Sequence, residues 1–156
     1  MEHHFFMELA LLEAKKSLKT GDVPIGAIVV ENNEILAKAH NEVEKRKDPT
    51  AHAEILAIKK ALRKRGEKFL NNCILYTTIE PCAMCAGAMV LTRLKKVVFG
   101  ARDPKAGAGG SVLNITCNPS LNHRIQIIEG IMAEECSSLV KEFFKKLRAE
   151  SGNKGK

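Results

Sequence analysis

Aromatic side chains are scarce in this chain of 156 residues, which has no Trp, one Tyr and six Phe. That shortage excludes a broad aromatic platform on which successive bases stack, so any contact with nucleic acid must rest on charge and a single pocket. No apolar run approaches the length of a membrane span. The opening "MEHHFFMELALLEAKK" lacks a basic leading stretch, a continuous apolar core and a small-residue cleavage site, so it reads as an amphipathic helix and not as a secretion signal. Five cysteines are an odd number with no framework spacing, which excludes a disulfide scaffold and predicts a reduced, cytoplasmic setting. The glycine-rich stretch "AGAGGS" is followed by no Gly-Lys-Ser/Thr, so it is not a phosphate loop; Gly107, Gly109 and Gly110 read as loop flexibility.

The chain carries 45% apolar and 28% charged residues, values of an ordinary globular domain. Its length suits one domain with a real core, taken as residues 1–150, followed by a disordered basic tail over 151–156. The net charge of +7 permits a polyanionic partner without requiring one. Its basic clusters, 63–68 and 145–156, read as a solvated helix end and a frayed terminus.

Apolar periodicity predicts a helix over 2–20. A hairpin follows, with strands 25–31 and 34–40 joined at Asn32-Asn33. Residues 41–49 read as a polar loop, and 50–66 as a helix with Thr50 as N-cap and Gly66 as its end. Strand 73–79, a helix opened by Pro81, and strand 95–100 form a βαβ unit with parallel strands. A loop over 101–111, a strand over 124–128 and a helix over 131–149 complete the chain. Cys136, Leu139, Val140, Phe143, Phe144 and Leu147 form one stripe of that last helix and are assigned to the core. The expected fold is α/β, a three-layer α/β/α sandwich around a mixed five-stranded sheet.

"EPCAMC" (80–85) sets two cysteines three residues apart at a helix start. Both sulfurs can reach one ion there, and the helix N-terminus favours thiolate. The same spacing also suits a redox dithiol or half of a structural zinc site. Among five histidines, His52 stands out because Glu54 follows it at the start of another helix. Residues two apart diverge around a helix, but both can address a point beyond its N-terminal end. Two helix starts meeting there would offer His52, Cys82 and Cys85. Three protein ligands leave the fourth position of zinc to water, the mark of a catalytic site. Two thiolates cancel the charge of Zn²⁺ and weaken it as a Lewis acid, so a carboxylate that accepts the water proton is needed. Glu54 fits that role better than a ligand's.

His-x-Glu with Pro-Cys-x-x-Cys resembles the zinc-dependent nucleobase deaminases of the cytidine deaminase superfamily. "DPTAHAEI" (48–55), "EPCAMCAGAM" (80–89), "VVFGARDPKAGAGGS" (97–111), "NHR" (122–124), "VPIGAIVV" (23–30) and "FFKKLR" (143–148) are similar to the bacterial tRNA-specific adenosine deaminases. The resemblance runs from about residue 5 to 150 and implies a cytidine deaminase-like fold with one Zn²⁺ per subunit. It also implies deamination of adenosine to inosine at the wobble position of a tRNA anticodon stem-loop, and a homodimer. Neither DNA nor a membrane is an expected partner. Asn41 and Ala53 would contact the substrate, Asn41 on the purine, and Arg102, Asp103 and Lys105 would line the anticodon groove. Read from the residues alone, Asn41 is a turn residue and the other three belong equally to a solvated loop. Three other functions remain open: a free nucleobase or nucleoside deaminase, a non-catalytic zinc-stabilised RNA-binding module, and a dithiol redox protein.

Overall fold

A computed structural model describes residues 2–154. Five strands form one mixed sheet: β1 (Gly26–Glu31), β2 (Glu34–His40), β3 (Cys73–Ile79), β4 (Lys96–Ala101) and β5 (Gln126–Glu129). Their order is β2-β1-β3-β4-β5. β1 is antiparallel to both β2 and β3, whereas β3, β4 and β5 run parallel. The β1–β2 hairpin turns through Asn32 and Asn33, both at positive φ, the conformation that a two-residue hairpin loop with native twist demands.

Alternation along the strands builds two cores. Ala27, Val29, Leu75 and Val97 face one cluster with α3 (Ala53–Arg65) and α4 (Ala83–Leu91). Ile28, Val30, Tyr76 and Val98 face the other, with α1 (Glu2–Lys16) and Cys136 of α5 (Ala133–Lys154). Covering both faces is what parallel strands require, and it produces the expected three layers. Gly26 sets how closely α1 approaches: a Cβ there would lie 2.0 Å from the Ala10 carbonyl oxygen and 2.6 Å from the Ala14 nitrogen.

Several local expectations are corrected. The first helix ends at Lys16 and passes into a 3-10 turn over Ser17–Thr20 before Gly21. The polar loop after β2 contains the short helix α2 (Val43–Arg46), whose first amides, Glu44 and Lys45, donate to the Asp22 carboxylate. Thr50 does not cap α3, because its hydroxyl donates to Asp48; the N-cap residue is His52. Pro81 precedes the helix it was expected to open, and Cys82 occupies that N-cap. The last helix continues to Lys154, through four residues of the tail expected to be disordered; residues 155–156 lie outside the described part. At the end of α3, Arg63 and Lys64 are exposed, in keeping with a solvated basic cluster. Among the described residues, no helix is long and apolar enough to cross a membrane.

A candidate metal centre and catalytic pocket

The two N-cap residues, His52 and Cys82, have extended backbones and make no side-chain capping bond. Their side chains are therefore free to turn toward each other. His52 Nδ1 lies 3.6 Å from Cys82 Sγ and 3.5 Å from Cys85 Sγ. All three donor atoms fall within 4.8 Å of one another. A tetrahedral ion about 2.3 Å from sulfur and about 2.0–2.1 Å from nitrogen holds the nitrogen and each sulfur about 3.5–3.6 Å apart. The donor set thus fits zinc in both type and spacing.

Ionisation makes the same demand. The hydrogen bond with Cys85 and that with His52 bring the Cys82 thiol down to about 4, against the opposing effect of burial. Cys85 moves the other way, pushed up by its bond to Cys82 and by burial. Contact with Cys82 raises His52 toward the protonated form. One thiolate is easily held here; a second needs a cation between the sulfurs.

Beside this set, a cavity of about 740 Å³ opens between the layers. Glu54, 4% exposed, lines it from the first turn of α3, and burial pushes its carboxyl up to about 7. Ala53 and Asp103 also line the cavity. So does Asn41, whose backbone is fixed by the Ser17 hydroxyl donating to its carbonyl and by its own amide donating to Ile25. Its side-chain amide donates to the Val23 carbonyl at 3.2 Å, while Oδ1 is buried with no partner among the described residues. A buried acceptor left unpaired at a cavity is available to a ligand's N–H.

Of the residues expected at the site, the fold gathers His52, Cys82, Cys85, Glu54, Asn41, Ala53 and Asp103. Arg102 and Lys105 lie outside the cavity lining. Both are exposed, and Arg102 forms a two-pronged ion pair with Glu129 at 2.9 and 2.6 Å. The apolar stripe of α5 divides in two: Cys136 is buried in the core, whereas Phe143, Phe144 and Leu147 reach beyond the sheet and wall the cavity. Helical periodicity alone could not separate those uses. Glu80 was also missed. Its carboxylate is 3% exposed and accepts hydrogen bonds from the 103–111 segment, and the only hint was a carboxylate directly preceding the Pro-Cys pair.

A family model of the MafB19-like deaminases matches residues 1–148. A tRNA-specific adenosine deaminase of Aquifex aeolicus (strain VF5) is 53% identical over 148 residues, 95% of this chain and 97% of the relative. The chain belongs to the MafB19-like deaminases, in the family of the tRNA-specific adenosine deaminases. Among solved deaminases, one from work on A-to-I editing by tRNA:A34 deaminases at the wobble position superposes with a TM-score of 0.83. It is 37% identical and covers 86% of this chain and 98% of its own. A guanine deaminase from Bacillus subtilis, 32% identical, has a TM-score of 0.64 and covers 96% of this chain and 95% of its own. These two solved deaminases therefore share the fold while differing in the base named for them.

Proposed function

We propose that residues 1–150 form one zinc-dependent deaminase domain that converts adenosine to inosine at the wobble position of a tRNA anticodon. The observation that carries this reading is the meeting of three soft metal donors and a buried carboxylate at one cavity. The choice of tRNA is supported by 53% identity to the Aquifex aeolicus relative over nearly the whole of both chains.

An anticodon adenosine unstacks and enters the cavity base first. Asn41 offers its unpaired Oδ1 to the purine, and Ala53 lies against the base. His52, Cys82 and Cys85 would hold Zn²⁺, which would serve as the Lewis acid that lowers the pKa of a water. Glu54 accepts the proton of that water, delivers it to purine N1 and then assists protonation of the amine leaving C6. One water is consumed, and inosine and ammonia are formed. Phe143, Phe144 and Leu147 keep bulk water from one side of the cavity. Asp103 at the wall and Arg102 and Lys105 outside it line the path of the anticodon backbone.

The active form is a cytoplasmic homodimer with one Zn²⁺ per subunit. Met84, Ala88 and Leu91 on α4 support this, forming a stripe at helical spacing on which Met84 and Leu91 are exposed, Leu91 to 77%. A free-base deaminase is the competing reading, favoured by the likeness to the guanine deaminase. Incubating the zinc-loaded protein with an anticodon stem-loop, free adenosine, adenine, guanine and cytidine separates the two. Inosine at the wobble position is expected. Release of ammonia from free guanine with none from RNA would overturn the assignment.

A further inference from the structure

Glu80 sits between the end of β3 and Cys82; it is buried and belongs to the lining of the catalytic cavity. Its carboxylate oxygens are filled by the 103–111 segment. Oε1 accepts from the Asp103 amide at 3.0 Å and from the Ser111 hydroxyl. Oε2 accepts from the Gly109 amide at 2.9 Å and from the Ser111 amide at 3.0 Å. Four donors occupy the four acceptor sites of one carboxylate. Pro81 adds a fifth tie, its carbonyl accepting from the Ala108 amide at 2.8 Å.

Gly107 and Gly109 serve that arrangement and are not merely flexible. A Cβ on Gly107 would lie 2.4–2.5 Å from the Glu80 carboxyl atoms, and one on Gly109 would lie 3.3 Å from Glu80 Cγ. The backbone wraps the carboxylate more closely than any side chain there would permit. Asp103 and Ala106 of the same segment line the catalytic cavity. Cys82 lies two residues beyond Glu80 and lines it from another side.

We propose that Glu80 is a positioning residue for deamination, clamping the 103–111 segment to the strand end that carries the metal donors. The clamp fixes the Asp103/Ala106 wall relative to the reacting centre. This rests on the tRNA deaminase reading, under which that wall receives the anticodon. Although Glu80 lines the cavity, its carboxylate oxygens are taken up by the 103–111 donors, and it acts through that loop.

The test uses the zinc-loaded protein with Glu80→Gln and, independently, Gly107→Ala. Gln turns an N–H₂ toward backbone donors, and Ala drives a methyl into the carboxylate. Each variant should retain zinc and raise KM for an anticodon stem-loop by roughly tenfold or more with kcat within about threefold, because the wall moves and the metal centre does not. Hydrogen exchange should accelerate in peptides covering 103–111 and stay unchanged in α3. Wild-type KM in both variants, or a fall in kcat at constant KM as a reduced folded fraction would give, overturns the proposal. A wild type that deaminates no stem-loop refutes the tRNA reading instead. In that case exchange alone decides whether Glu80 fastens the loop, and unaltered exchange in both variants would refute that as well.

Discussion

Replacing Glu54 by Gln separates proton transfer from everything else the pocket does. The side chains are nearly the same size, so the cavity keeps its shape. Glu54 is 4% exposed, and Asp22, Glu80 and Asp103, which also line the cavity, are committed as acceptors of backbone amides. His52 belongs to the candidate metal set with Cys82 and Cys85. A positioned acid/base contributes about 10²–10⁴ in rate, so kcat should fall by that factor. At about 1.4 kcal/mol per tenfold, the loss corresponds to about 2.7–5.4 kcal/mol of transition-state stabilisation. Zinc content should remain one per chain, and KM for the stem-loop should be little changed. Stability should not suffer, because a neutral amide is easier to bury than a carboxylate. The assay is single-turnover inosine formation on a stem-loop, with metal analysis and a urea midpoint on the same sample. Turnover within tenfold of wild type at full zinc occupancy would refute the proton-shuttle role. Loss of zinc would recast Glu54 as a ligand.

Three further outcomes are expected. Gly26→Ala should lower stability by about 1–3 kcal/mol or more in urea unfolding, because its methyl would enter the α1 backbone; an unchanged midpoint would contradict the packing described. Burial raises the Glu13 carboxyl, but hydrogen bonds from Lys16 and His40 outweigh it and leave the group below its usual range. A depressed carboxylate stabilises the fold above its ordinary pKa and loses that contribution as pH falls through the folded value. The urea-midpoint gap between wild type and Glu13→Gln should therefore narrow below about pH 4, and a constant gap would show that Glu13 makes no such contribution. Leu91→Asp should shift sedimentation from dimer toward monomer, whereas an undisturbed dimer would place the interface away from the outer face of α4.

The sheet was legible because strand signals are local. The β-branched runs in "IGAIVVE" and "CILYTTI", the paired asparagines and the short β3–α4–β4 joins require no knowledge of distant contacts. The coming together of His52, Cys82 and Cys85 was legible because chemistry restricts which residues can serve a metal and how they are spaced. Other features depend on contacts between separated segments. Glu80 bonds residues 23 to 31 positions away. Phe143 and Phe144 follow the same periodicity as core residues, and only the position of α5 relative to the sheet end turns them toward the cavity. Thr50 is a good capping type, but Asp48 lies within reach of its hydroxyl and takes it. Arg102 likewise reads as a free cation until Glu129 arrives from β5.

The donors and the apolar wall belong to opposite layers of the sandwich. His52, Cys82 and Cys85 ride on helices packed against one face of the sheet, and Phe143, Phe144 and Leu147 on a helix packed against the other. The candidate metal set is thus drawn from one layer, whereas the cavity beside it draws on both, so under the proposed function metal content by itself would not measure how much of a preparation is competent.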